Sequence, residues 1–125
     1  LGKAGINVSG GSDSPTLTIT RRASPPVAYP TPLLGMAFAV SRKTKNGAII
    51  DEEESVSAME ALKIYTRNGA YASFEEDVKG TLEEGKLADI AILSENPLQV
   101  KAEDIARIRV EMTIIGGEIV FSNRK

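Results

Sequence analysis

The chain has 125 residues, 42% of them apolar and 26% charged, with 15 Lys and Arg against 17 Asp and Glu for a net charge of −2. That balance belongs to a folded protein of one modest domain or a piece of a larger one, and it argues against a nucleic-acid surface. There is no Cys and no His, so disulfides, Cys-His chemistry, Ser-His-Asp chemistry and the usual zinc-hydrolase sites are excluded for this chain acting alone.

Every apolar run is far shorter than the roughly 20 residues of a membrane span. The start, Leu1-Gly2-Lys3-Ala4, has neither an initiator Met nor a signal-peptide pattern, which reads as a fragment of a longer chain. Ile6 to Ser9 alternates like a short strand and runs into Gly10-Gly11-Ser12-Asp13-Ser14-Pro15. Five of the six prolines fall between Asp13 and Pro32, so this stretch reads as a long loop or linker. Thr31-Pro32 predicts an N-cap with Pro at the first helical position. The apolar Leu33 to Val40 follows as a mostly buried helix, with Arg42 and Lys43 in its last turn and Asn46-Gly47 ending it.

Asp51 to Glu54 predicts a solvated acidic turn, lacking the alternating oxygen ligands of a calcium loop. Ser57-Ala58-Met59-Glu60 is a capping box. It opens a helix that puts Ala58, Ala61, Leu62, Tyr65 and Gly69 on one face, with Lys63 and Arg67 elsewhere. A second helix is expected over Ala70 to Glu76, with Tyr71 and Phe74 inward. The period then changes. Leu87 to Leu93 reads as a strand, Ala102 to Ile108 as a helical turn, and Arg109 to Ile115 and Glu118 to Ser122 as a hairpin joined by Gly116-Gly117. A boundary near Val78 to Gly80 divides the chain.

Gly80-Thr81-Leu82-Glu83-Glu84-Gly85-Lys86-Leu87 mimics a phosphate-cradling loop. It has Leu87 where magnesium needs Ser or Thr, and two glutamates that would repel phosphate, so it reads as a plain turn. Gly10 to Ser14 brushes against a serine-hydrolase elbow but has no final Gly and no His base. Asp13 is different. It follows a short strand and two glycines, where a barrel enzyme would place a catalytic carboxylate, and it equally suits an Asx turn or helix cap. Arg21 and Arg22 could meet an anionic substrate group, although solvent-facing arginines are commoner.

Residues Ala4 to Pro15 together resemble the last barrel strand of the metal-dependent amidohydrolase superfamily, in its amidohydrolase 3 branch. The resemblance continues through Ala39 to Arg42, Ser57 to Leu62, Tyr65-Thr66 and Asn68-Gly69-Ala70. It is most specific at Gly80 to Leu93, with its Glu-Gly-Lys-Leu-Ala-Asp run, and at Val110 to Val120. It implies an α+β fragment: the last strand and helices of a (β/α)8 barrel over residues 1–78, then strands of a small β-sandwich over 79–125. It implies a parent enzyme that hydrolyses amide-type C–N bonds of a small-molecule substrate with water activated on a divalent metal, most often zinc. Asp13 matches the family aspartate that binds metal or shuttles a proton, while Lys86 and Asp89 match a structural turn and strand. The family's metal-binding histidines are missing, so the chain alone is expected to be inactive and to hold no cofactor. The expected setting is cytoplasmic and homo-oligomeric, with no nucleic acid or membrane partner. The rival reading is a stand-alone, non-catalytic α+β interaction module.

Overall fold

The computed structural model describes residues 5–11, 31–44 and 46–123. Helices and an antiparallel sheet are segregated along the chain, an α+β arrangement. Helix α1 (Pro32–Ser41) starts where Thr31 accepts a hydrogen bond from the Leu34 N–H at 3.2 Å, with Pro32 at the first helical position. It ends earlier than Asn46-Gly47. Arg42 adopts a left-handed conformation (φ 53°) and donates its N–H to Phe38 O at 2.8 Å, closing the helix as a glycine usually does. The Arg42 guanidinium lies 5.1 Å from the Phe38 ring centre, and its Nε donates to Ile50 O at 3.0 Å. These contacts hold a non-glycine residue where glycine is the easier choice. Asn46-Gly47 instead turns a small hairpin-like loop in which Lys43 bridges Ile49.

A 3-10 helix (Glu52–Glu54) leads to α2 (Ala58–Ile64). The capping box is complete: the Glu60 N–H donates to Ser57 Oγ at 3.2 Å and the Ser57 N–H to Glu60 Oε2 at 2.8 Å. The expected continuous face through Gly69 does not form as one helix. The helix breaks at Tyr65 and Thr66 (Thr66 φ −128°, ψ −95°), and α3 (Arg67–Ala72) is a separate helix. The expectation of Tyr71 and Phe74 inward is also overturned. Phe74 sits at φ 59° just beyond α3 and is 93% exposed, and Tyr71 is 51% exposed.

The core lies between α1, α2 and a second 3-10 helix (Ala102–Arg107): Met36, Ala37, Ala61 and Ile105 are buried, with Leu33, Leu62, Tyr65 and Val100 packed around them. One face of α1 fills this core. Leu34 and Phe38 on its other face stay exposed, so the helix is half-buried rather than mostly buried.

Strands β1 (Ile90–Leu93), β2 (Val110–Ile115) and β3 (Glu118–Ser122) form one antiparallel sheet in the order β1-β2-β3. Register pairs Ile90 with Ile114 and Ile114 with Ile119, with one irregularity in each ladder. Gly116 (φ 57°) and Gly117 (φ 87°) make the two-residue turn, both in the left-handed region that such a hairpin requires. Strand β1 is shorter than the expected Leu87 to Leu93, because residues 87–89 are spent on turn contacts.

Residues 6–9 form no strand among the described residues. A strand exists only through its ladder, and no described neighbour pairs with this one. A sandwich likewise needs a second sheet, and the described residues form a single one.

Candidate active-site segment and its supports

Asp13, Arg21 and Arg22 lie outside the described residues. The structure does describe both ends of the segment that carries them, residues 5–11 before it and Thr31 with α1 after it.

Segment 5–11 runs along the helices rather than free. The Gly10 N–H donates to Ile64 O at 3.0 Å, and Asn68 Nδ2 donates to Val8 O at 2.9 Å. Two hydrogen bonds from two different helices therefore fix the backbone immediately before Gly11. A side chain at Gly10 is impossible without movement. Its Cβ would lie 2.7 Å from Cε1 and Cζ of Tyr65 and 2.9 Å from Ile64 Cγ2. The same ring touches α1 on its other side: a Cβ on Gly35 would collide with the Tyr65 hydroxyl oxygen and lie 2.6 Å from its Cζ. Tyr65 is thus held between two glycines, one on each flank of the undescribed segment. The sequence put Tyr65 on one face of a helix, Gly10 at the end of a short strand and Asn68 within the family resemblance, and brought none of them together. Their signal was the pairing of glycines with a distant aromatic residue, which no local pattern reveals.

The Glu-Gly-Lys-Leu-Ala-Asp run makes a turn, as expected. Lys86 Nζ points into its own loop, 2.7 Å from Glu76 O, 2.8 Å from Thr81 Oγ1 and 2.7 Å from Glu83 Oε2. With its donors satisfied there, it offers nothing to a phosphate. Asp89 Oδ1 accepts from the Gly116 N–H at 2.8 Å and Ala88 O from the Gly117 N–H at 3.1 Å, so the run ties the hairpin tip to β1. The Lys86 ammonium, then the Thr81 hydroxyl, hold the Glu83 carboxyl below its ordinary range.

An apolar cavity of about 580 Å³ lies between α2, α3 and β1, lined by Leu62, Tyr65, Leu82, Ile90, Leu93 and Pro97 among others. Its charged lining residues are engaged elsewhere, Asp89 accepting from the Gly116 N–H and Lys79 paired with Glu75 at 2.6 Å. Among the described residues no three His, Cys, Asp or Glu side chains gather as a metal site, and no described helix is long and apolar enough to cross a membrane.

The amidohydrolase family model matches residues 1–121. The chain belongs to the amidohydrolase family. It is 32% identical over 120 residues to YtcJ of Bacillus subtilis (strain 168), named as an amidohydrolase, covering 94% of this chain and 21% of that protein. It is 33% identical over 118 residues to the N-substituted formamide deformylase of Arthrobacter pascens, covering 94% and 20%. A 5-methylthioadenosine/S-adenosylhomocysteine deaminase of Thermoanaerobacter pseudethanolicus is 30% identical over 132 residues, covering 98% and 28%. The crystal structure of an amidohydrolase from Thermotoga maritima MSB8 matches 57% of this chain and 17% of its own with 31% identity and a TM-score of 0.48. The chain thus spans between a fifth and under a third of the length of these curated relatives.

Proposed function

We propose that this chain is the C-terminal portion of a metal-dependent hydrolase acting on amide-type C–N bonds of a small molecule. The observation that carries the reading is the amidohydrolase family match over residues 1–121. The relatives' names add support, since deformylation of a formamide and deamination both break a C–N bond. Membership of an enzyme family favours this reading over a stand-alone interaction module.

In this reading residues 1–78 belong to a (β/α)8 barrel, with residues 6–9 as its last strand, and residues 79–125 belong to a composite β-sandwich. Segment 6–9 becomes a strand only when the rest of the barrel supplies neighbours. The protein is cytoplasmic and self-associates.

The residues of this chain do not fit a catalytic metal. There is no His or Cys, and among the described residues no three acidic side chains gather so as to hold an ion. The divalent ion, with zinc expected, is therefore held by side chains outside this sequence, with Asp13 contributing at most one carboxylate. The task of this chain is the proton. As the water oxygen bonds to the substrate carbon, the Asp13 carboxylate takes a water proton. It returns that proton to the leaving nitrogen as the C–N bond breaks.

The test is a hydrolysis panel of N-substituted formamides, N-acyl amines and aminopurines on the complete protein, with and without a chelator. Chelator-sensitive release of amine, ammonia or acid from one class is expected, and no turnover of any C–N substrate overturns the reading. The 125-residue chain alone is expected to bind no stoichiometric zinc and to hydrolyse none of the panel.

A further inference from the structure

We propose that Phe74 anchors a docking surface, taken up by a basic-rimmed apolar recess on the part of the parent polypeptide outside this sequence. Resting on the reading above only for a longer parent enzyme, this role gives Phe74 no part in the chemistry.

Phe74 occupies a position that local structure assigns to glycine. Helix α3 ends in a pair of closing hydrogen bonds: the Phe74 N–H donates to Tyr71 O at 3.1 Å and the Glu75 N–H to Ala70 O at 2.9 Å. That closure needs one left-handed residue just past the helix, and glycine takes it without steric penalty. Here the residue is a phenylalanine at φ 59°, a conformation that any side chain with a Cβ disfavours. Arg42 closes α1 in the same conformation, but its side chain is held by the Phe38 ring and Ile50 O. The Phe74 side chain has no such compensation, because the residue is 93% exposed. A bonded closure thus holds an aromatic ring out in water, which is the disposition of an interface anchor and not of a core residue. Tyr71, Val78 and Leu87 are exposed on the same stretch, the last two joined by the Leu87 N–H to Val78 O at 2.9 Å.

Charge selects the occupant. Residues 74–87 carry five acids against Lys79 and Lys86. Lys79 is paired with Glu75 at 2.6 Å and Lys86 with Glu83 at 2.7 Å. Asp77 and Glu84 stand exposed, without an ion pair among the described residues. A two-fold contact with a second copy would set two such acidic faces against each other. A recess rimmed by Lys or Arg complements them instead. The parent chain has ample length to supply it, since this sequence covers only 20–28% of the relatives above. A covalently attached surface also docks without the orientational cost of a separate partner.

The experiment is hydroxyl-radical footprinting of the complete wild-type protein, with oxidation at Phe74 read by mass spectrometry, native against urea-unfolded. Oxidation of Phe74 is expected to be about tenfold slower or more in the native protein. A native rate within about twofold of the unfolded rate overturns the proposal. The measurement is repeated on dilution, with light scattering recording the assembly state. Protection that persists in the monomer puts the recess on the same chain, as proposed; protection lost as an assembly dissociates assigns it to a second copy and overturns the proposal. Asp77→Asn/Glu84→Gln tests the basic rim and should speed Phe74 oxidation by about threefold or more at low salt. An unchanged rate overturns it.

Phe74→Asn supplies an independent sign. Asn tolerates the left-handed region and is at ease in water, so a ring exposed in the complete protein predicts an unchanged or raised urea midpoint. Loss of a docked anchor should instead lower the midpoint by about 0.3 M or more. Turnover enters none of these readouts. An active enzyme whose Phe74 is oxidised at the unfolded rate loses the docking surface and keeps the hydrolase reading; a protected Phe74 in a protein that hydrolyses nothing on the panel does the reverse.

Discussion

Gly10 and Gly11 are neighbours with the same composition and opposite surroundings, so one methyl group placed on each gives an internal control. Gly10→Ala drives a Cβ to 2.7 Å from two ring carbons of Tyr65 and 2.9 Å from Ile64 Cγ2, whereas among the described residues a Cβ on Gly11 meets no atom within 4 Å. Neither glycine has a positive φ, so backbone strain is not at issue and the difference is purely steric. Forcing a methyl into a packed, inflexible site costs about 1–3 kcal/mol. An unfolding entropy of about 2.1 cal/mol/K per residue, over a chain of this length, turns that into a fall in Tm of roughly 4–11 °C. Gly11→Ala loses unfolded-state entropy without a clash and should change stability by about zero, or raise it by up to about 1 kcal/mol. Scanning calorimetry at one fixed protein concentration measures both. Equal Tm values for the two variants would refute the account of the Tyr65 contact.

Other outcomes follow from the same contacts. Lys86→Met strips the loop of three hydrogen-bond partners and should destabilise by about 1–3 kcal/mol in urea unfolding, with nothing lost if the loop is held otherwise. Glu60 has its carboxyl pKa lowered first by the Ser57 backbone N–H, Glu75 first by Lys79, and Glu83 first by Lys86. A carboxylate with a lowered folded-state pKa stabilises above its unfolded value of about 4.3 and loses that contribution as pH falls through the folded value. Stability should therefore be flat above about pH 5 and decline below it, and Ser57→Ala should shallow the decline. Expressed alone, the chain should self-associate through β3, where Ile119, Val120 and Phe121 are all exposed at a sheet edge. Light scattering across a concentration series would contradict this by finding a constant monomer whose β3 amides are protected from exchange.

The features legible in the sequence were those written within a few residues of one another. Thr31-Pro32, the Ser57/Glu60 capping box and Gly116-Gly117 each carry their whole mechanism locally, and each appears as read. The Glu-Gly-Lys-Leu-Ala-Asp turn was also read as structural, though not that Lys86 would fold back on Glu76 O and Thr81. The misreadings share a nonlocal cause. The periodicity of Ala58 to Gly69 is helical, yet the helix breaks at Thr66 (φ −128°, ψ −95°), and Phe74 falls beyond α3 at φ 59°, exposed like Tyr71. Helix α1 ends at Arg42 because a ring four residues back and a carbonyl eight residues ahead stabilise a left-handed arginine. Residues 6–9 have the alternation of a strand, but alternation supplies no partner. Tyr65 between Gly10 and Gly35 joins positions up to 55 residues apart, beyond the reach of any short pattern.

The most direct measurement of the central claim is kcat/KM of Asp13→Asn in the complete protein, with folding checked by circular dichroism. Asn keeps the size and much of the hydrogen bonding of Asp but cannot take a proton. The account predicts an intact fold and a fall of about a hundredfold or more. Turnover within a few-fold of wild type, with or without some lost stability, would reduce Asp13 to a turn or cap residue and contradict it.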